Sequence, residues 1–306
     1  MMNRFSMALG ALLVFLLSLF GCSPGNGNDN RVKVVCTTGM VADVVRIIGG
    51  ESVKVEQLMG EDVDPHLYKV TSADVAKMNN ADIIFYSGLH LEGKMTDALE
   101  RLAKRKPVFA VTDGLDRKSL LTDEHNHPDP HVWFDVSLWS EVAELIGQKL
   151  AEHDPANSAT YKKRTAEYRA ELAKLHEEAK KEIAAIQPKA KRVLVTSHDA
   201  FRYFGRAYDI EVKGIQGIST DQEASLRDIN QLVDFIVERK VSAVFVETSV
   251  NQRNMQSLRD GCKKRGHEVA QGGELFSDAM GKEGTSEGTY IGMIRHNVKT
   301  IVAALK

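Results

Sequence analysis

Between Pro155 and Pro188 the chain runs without a single glycine or proline. Alanine, glutamate, lysine and leucine fill the segment, all strong helix formers. It reads as one helix of roughly 45–50 Å at 1.5 Å of rise per residue, longer than most globular helices. Such an element is expected to act as a strut joining two halves of the chain. Its apolar positions are read as Ala166, Ala170, Ala173, Ile183 and Ile186. The length of 306 residues accommodates two domains at a prior of roughly 150 residues each.

On either side of the strut, short apolar runs alternate with amphipathic stretches. In the first half, strands are expected at Val32–Thr38, Val53–Met59, Ala81–Ser87 and Val108–Val111. Helices are expected from the first of these to Gly49, from Thr71 or Ser72 to Asn80, and over Leu138–Ala151. In the second half the expected strands are Arg192–Thr196, Ile210–Gly214, Ala243–Glu247 and His267–Ala270. The helices there are Asp199–Ala207, Ala224–Arg239, Gln252–Arg265 and Glu287–Leu305. Continuous apolar strands separated by helices indicate an α/β fold with parallel sheets covered on both faces. The expected division is a first lobe over 32–153, a connecting helix over 154–188 and a second lobe over 189–306.

The N-terminus reads as a targeting segment over 1–21. Arg4 supplies positive charge, and Ala8–Phe20 is an apolar run of about 13 residues, short of the ~20 needed to span a bilayer but suited to a secretory leader. Leu19-Phe20-Gly21-Cys22 resembles a bacterial lipobox, which would leave Cys22 as a lipid-bearing first residue. The alternative is a plain leader with a chance cysteine. Residues 22–31, rich in Gly, Asn and Ser, read as a flexible tether. Apolar residues make up 43% and charged residues 27%, with a net charge of −2. No basic field exists to hold a nucleic acid.

Two copies of Asp-Pro-His, at 64–66 and 129–131, carry the chemistry. Proline ends regular pairing and opens a loop, so His66 and His131 are presented at the mouths of elements. His198, in Thr-Ser-His-Asp, and Asp278, in Leu-Phe-Ser-Asp-Ala-Met-Gly, also follow expected strands. Ligands of open α/β sheets bind beyond the carboxyl ends of strands. Three imidazoles and one carboxylate would saturate a four-coordinate divalent cation. Asp64 and Asp129 either orient the imidazoles or cap their turns. Glu247, ending another strand, is a candidate support for the ligands. His125 and His127 lie in a polar loop and are either exposed or transient metal captors. His90, His153, His176, His267 and His296 lack partners at ligand spacing.

Beyond the leader the chain has Cys36 and Cys262, with no CxxC or Cys-His spacing, so a thiolate metal site is not indicated. Both read as packed thiols, with a disulfide between the halves as the alternative. GxSxG, HExxH and a post-strand GxGxxG are all missing.

The ordered blocks Asp-Pro-His, Asp-Pro-His-Val-Trp-Phe-Asp, Ser-His-Asp-Ala-Phe-Arg-Tyr-Phe, Phe-Val-Glu-Thr-Ser and Leu-Phe-Ser-Asp-Ala-Met-Gly resemble the family 9 (cluster A-I, TroA-like) metal-binding solute receptors of bacterial ABC importers. Gly217–Ala224 looks like a further block of that family. The resemblance implies two (βα) lobes, each with a four-stranded parallel sheet, joined by one long helix. It implies a metal between them on His66, His131, His198 and Asp278. It further implies Mn²⁺ or Zn²⁺ as transported ligand, one per chain, an ABC permease and its ATPase as partners, and a monomeric lipoprotein on the outer side of a membrane. Family members resembling manganese receptors carry Glu at the position of His198, and zinc receptors carry a long His-rich loop before the second Asp-Pro-His. This chain fits neither pattern and looks most like the members associated with both metals. The expectation is a receptor and not an enzyme. A metal-dependent hydrolase and a surface adhesin with a structural metal remain the rival readings.

Overall fold

Alternate residues of the first strand face opposite ways, and this sets the layering of the first half. β1 (Val32–Cys36) turns Val34 and Cys36 toward one core cluster and Val35 toward another. The chain continues through α1 (Gly39–Gly49), β2 (Val53–Gln57), α2 (Ser72–Asn80), β3 (Ile83–Tyr86), α3 (Thr96–Ala103) and β4 (Val108–Ala110). The four strands pair in parallel in the order β2-β1-β3-β4. Parallel neighbours need crossovers, and α1, α2 and α3 provide them. α2 is locked at its start by a capping box, in which the Thr71 hydroxyl accepts from Asp74 N and the Asp74 carboxylate accepts from Thr71 N,.

In this computed structural model, residues 29–123 and 125–306 are described. The expected leader and Cys22 lie outside them. Residues from Arg31 to Lys306 form one compact unit. Among the described residues, no helix is long and apolar enough to cross a membrane.

α4 (Val136–His153) and α5 (Ser158–Ala184) follow, the latter being the expected strut. Its buried stripe is Tyr161, Thr165, Tyr168, Leu172, Leu175, Ala179 and Ile183. Ala166, Ala170 and Ala173 face solvent instead. The large side chains have more surface to remove from water, while alanine serves on the outer face as a helix former. α5 packs against α1 and α4 of the first half and against α9 and α6 of the second.

The second half runs β5 (Val193–His198), α6 (Arg202–Tyr208), β6 (Glu211–Gln216), α7 (Leu226–Arg239), β7 (Ala243–Glu247), α8 (Arg253–Lys264), β8 (Ala270–Leu275) and α9 (Tyr290–Leu305). Its four strands form two parallel pairs, β5–β6 and β7–β8, with β5 lying beside β7. The expected four-stranded ladder is therefore continuous in the first half and divided in the second. At the carboxyl ends of β5 and β7, a side chain bridges the two pairs: Glu247 accepts the His198 backbone N–H at 2.9 Å.

Two further differences have local causes. The last strand lies at 270–275 and not 267–270, because the apolar cue in Val269-Ala270 precedes a ladder made of Gln, Gly and Glu. Gly273 there adopts φ +141°, and a side chain on it would strike Thr300 of α9. α3 is an unexpected helix, short and held by Leu99 and Leu102 beneath Met95.

One hydrophobic cluster runs through both halves. It contains Val34, Phe85 and Trp139 from the first, Tyr168 and Leu172 from α5, and Leu194, Phe245 and Tyr290 from the second. Cys36 belongs to it, and Cys262 lies in a separate cluster under α7 and α8. Both thiols are free and buried.

Candidate metal centre

Each expected ligand sits just past, or at the end of, a strand. His66 lies in the segment after β2, His131 in the loop after β4, His198 at the last position of β5 and Asp278 after β8. All four are buried, and one donor atom from each lies within 4.8 Å of the others. Among the described residues this is the single group of histidine, cysteine and carboxylate side chains so arranged.

The donor atoms approach one another closely. His66 Nε2 and His131 Nε2 are 3.4 Å apart, and His198 Nε2 and His131 Nε2 are 3.3 Å apart. Asp278 Oδ1 lies 3.3 Å from His131 Nε2, and Asp278 Oδ2 lies 3.3 Å from His198 Nε2 and 3.9 Å from His66 Nε2. A tetrahedron whose vertices stand about 2.0–2.1 Å from its centre has edges of about 3.3–3.4 Å. Four of these five separations match such an edge, and the fifth, from His66 to Asp278, is longer at 3.9 Å. Neither Asp278 oxygen makes a hydrogen bond, although the carboxylate is wholly buried. A buried carboxylate needs positive charge beside it, which protons on the His131 and His198 rings or a metal cation supply.

The rings are braced from behind. The His131 Nδ1–H donates to Asp129 Oδ1 at 2.8 Å, and the same oxygen accepts the His131 backbone N–H at 3.0 Å. The His198 Nδ1–H donates to Glu247 Oε2 at 2.5 Å. With Nδ1 holding the proton, each ring offers its Nε2 lone pair to the centre. Asp129 thus both orients a ring and caps a turn. Asp64 only caps: its Oδ1 accepts the His66 backbone N–H at 2.8 Å, and its Oδ2 accepts the Thr220 hydroxyl at 2.5 Å.

Several supporting residues were not foreseen as such. The Trp133 indole N–H donates to the Ser277 carbonyl at 3.0 Å, beside Asp278. Asn297 of α9 both accepts from Phe276 N and donates to Phe276 O. The Tyr290 hydroxyl donates to Trp133 O at 2.6 Å, and the Tyr203 hydroxyl donates to Asp129 O at 3.0 Å. Phe134 stacks on Phe201 with centroids 4.1 Å apart. Trp133 and Phe134 lie in the second Asp-Pro-His block, and Phe201 and Tyr203 in the block around His198, whereas Tyr290 and Asn297 carried no signal. Gly214 of β6 lets the backbone of His198 and Asp199 pass where a side chain would collide.

Three buried carboxylates, on Asp129, Glu247 and Asp278, face this cluster. Beyond His131 itself, Arg202 brings its guanidinium to 3.8 Å from Asp129. Burial opposes charge on His131, but Asp129 and Asp278 outweigh it and push the imidazole up to about 9. At His198 burial is likewise outweighed, here by Glu247 and Asp278, and the ring is held well above its ordinary value. Burial would raise Asp278, but His198 and His131 hold it well below the usual carboxylate range. His66 goes the other way: burial lowers it to about 4, with Asp278 only partly compensating.

The remaining histidines stay apart from this cluster. His125 and His127 flank an exposed turn in which Asp123 accepts both backbone N–H groups. His267 and His296 approach the carbonyls of Val241 and Glu274, and His176 approaches the Tyr208 hydroxyl.

The chain is similar to known metal-binding proteins over nearly its whole length. It is 45% identical over 302 residues to the manganese-binding lipoprotein MntA of Bacillus subtilis, covering 97% of this chain and 98% of that protein. It is 46% identical over 299 residues to the zinc-binding protein TroA of Treponema pallidum, covering 98% and 96%. The solved structure of TroA superposes with a TM-score of 0.88 at 47% identity, covering 90% of this chain and 99% of that one. The metal ABC transporter substrate-binding lipoprotein SloC of Streptococcus mutans is 34% identical over 313 residues, with 99% of each chain covered. The family model described as zinc-uptake complex component A, periplasmic, matches residues 34–304. With that match running from β1 into α9, the chain belongs to the ZnuA family.

Proposed function

We propose that His66, His131, His198 and Asp278 ligate one divalent transition-metal ion, and that the protein hands this ion to an ABC permease. The cargo is Mn²⁺ or Zn²⁺, captured outside the cytoplasm and released to the permease and its ATPase for import. The observation that carries this reading is the gathering of the buried Asp278 carboxylate with three buried imidazoles, one donor atom of each within 4.8 Å of the others. The donor set accepts several first-row metals. The Irving–Williams order makes Zn²⁺ bind more tightly than Mn²⁺ whichever is imported. Both Asp278 oxygens face imidazoles, so bidentate ligation is open to a larger coordination number, which suits Mn²⁺.

Four protein donors leave no open position of the kind a hydrolytic zinc site keeps for water and substrate. That favours a receptor over an enzyme. In this reading Cys22 bears the lipid anchor, the segment around it is a tether, and the receptor works as a monomer. The lobes are those expected from the sequence, 32–153 and 189–306, with 154–188 connecting them.

Isothermal titration tests the ligand set. His198→Ala lowers Zn²⁺ affinity by more than about a hundredfold, beyond what loss of a bracing group costs. His176→Ala, on the outer part of α5, leaves affinity unchanged. Equal losses in the two variants would reject the assignment. Elemental analysis of protein purified at controlled Mn/Zn ratios, with metal uptake in a deletion strain, identifies the cargo.

A further inference from the structure

His66 is held differently from the other three groups. The rings of His131 and His198 are each braced by a buried carboxylate, and the loop of Asp278 is fixed by Trp133 and Asn297. The His66 ring has no such brace: its Nε2 points into the cluster, and its Nδ1 bonds to none of the described residues. His66 also rides on the segment between β2 and α2, which contains neither helix nor strand and turns through a left-handed Asp62 at φ 59°. Within the first half the segment is held by Tyr68, whose hydroxyl donates to Asp74 at 2.7 Å; its tie to the second half beside His66 is Asp64. One carboxylate oxygen accepts the His66 backbone N–H, and the other accepts the hydroxyl of Thr220, which belongs to the second half of the chain.

Thr220 in turn lies in the segment between β6 and α7, again without helix or strand. Its neighbour Asp221 pairs with Lys94 of the first half at 2.8 Å, but that pair is about half exposed, and such pairs contribute little. The Thr220 hydroxyl is mostly shielded and bonds to a charged acceptor, the stronger class of hydrogen bond. Elsewhere the halves meet through buried contacts, such as Phe134 on Phe201 and Trp133 on Ser277. The geometry points to Thr220 and Asp64 as a clasp that keeps His66 closed over the cation and so sets how fast the cargo leaves. Thr220 is a positioning residue: it touches no metal and acts through Asp64 on the His66 backbone. This inference rests on the proposed metal site.

The test is stopped-flow release. Protein loaded with Zn²⁺ is mixed with excess chromogenic chelator, for the wild type, Thr220→Val and Thr220→Ser. Valine keeps the shape of threonine and removes the donor; serine keeps the donor. Thr220→Val is expected to release Zn²⁺ about tenfold faster or more, in line with loss of a hydrogen bond to a charged group. Thr220→Ser should stay within about twofold of wild type, and Thr220→Val should bind the same number of ions per chain. A merely structural effect of the substitution would not be rescued by serine. Release from Thr220→Val at the wild-type rate, or equal acceleration in both variants, overturns the clasp while leaving the metal site intact. A wild-type protein that retains no Zn²⁺ overturns the metal site and the clasp together.

Discussion

At His131 and His198 the carboxylates behind the rings do more than aim them. Asp129, Glu247 and Asp278 draw protons onto these two imidazoles, raising His131 to about 9 and His198 well above its usual range, in each case against the opposing effect of burial. Two protons and one divalent cation carry the same charge, so the site is built for exchange between them. His66, lowered by burial to about 4, is already neutral and gives up nothing at neutral pH. The sign follows: protons compete with the metal wherever these two rings are charged, so apparent affinity climbs as pH rises through 6 toward 9. Near pH 7 each cation entering should displace about two protons, measurable by titration calorimetry in buffers of different ionisation enthalpy. A count near zero would show that the rings are neutral before metal arrives. Glu247→Gln keeps an acceptor for the His198 Nδ1–H but removes the charge. It should weaken binding by about 10–100-fold, the loss being partly offset because the charge that draws a proton onto His198 is gone. That these four side chains gather was legible in the sequence because each stands at or beyond the end of a strand. Their braces were less so: Asp64 and Asp129 share the same local motif, yet one reaches Thr220 and the other its own imidazole. That choice depends on what lies opposite, which local sequence does not state. The roles of Tyr203, Tyr290 and Asn297 were hidden for the same reason, since each bonds to a residue distant in the chain.

Among the elements, α5 separates stability from function most clearly. It contributes no ligand, yet its stripe from Tyr161 to Ile183 is packed against helices of both halves. Leu172 is fully buried at the centre of that stripe. Leu172→Ala should cost about 2–5 kcal/mol of unfolding free energy, read by chemical denaturation of the metal-free protein. Zn²⁺ release should stay within about twofold of wild type. A large acceleration of release would mean that α5 positions the site, contrary to its place in the fold. The helix itself was plain from its lack of glycine and proline, and Ile183 and Ile186 are buried as read, but the three alanines are not. Alanines at helical spacing looked like a stripe, whereas tyrosines and leucines bury more area and take the inner positions. β8 was displaced for a related reason. Its residues pair through backbone ladders while Gly272 and Gly273 make room for Phe245 and α9, so no apolar run announces it. α3 escaped notice because two buried leucines over eight residues are too few to establish a period.

For the molecule as a whole, the decisive fact is where the largest core lies. In a receptor with a flexible hinge, each lobe has its own core and the cleft between them is wet when open. Here one cluster passes from Val34 and Phe85 through Tyr168 and Leu172 to Leu194 and Phe245. Swinging the halves apart would tear that cluster and expose apolar surface at roughly 25 cal/mol per Å². Small sliding of packed elements is far cheaper, so the accessible motion is shear and local release of loops, not wide hinge opening. The segments bearing His66 and Thr220, which lack helix and strand, are where such release costs least. Small-angle scattering should therefore find the radius of gyration changing by less than about 1 Å when the metal is removed with a chelator. Hydrogen exchange should at the same time speed up in residues 58–71 and 217–225, leaving β1, β3, β5 and β7 protected. A change of several ångströms, with uniform exchange across both halves, would mean that the shared core parts on release and that α5 is a hinge after all.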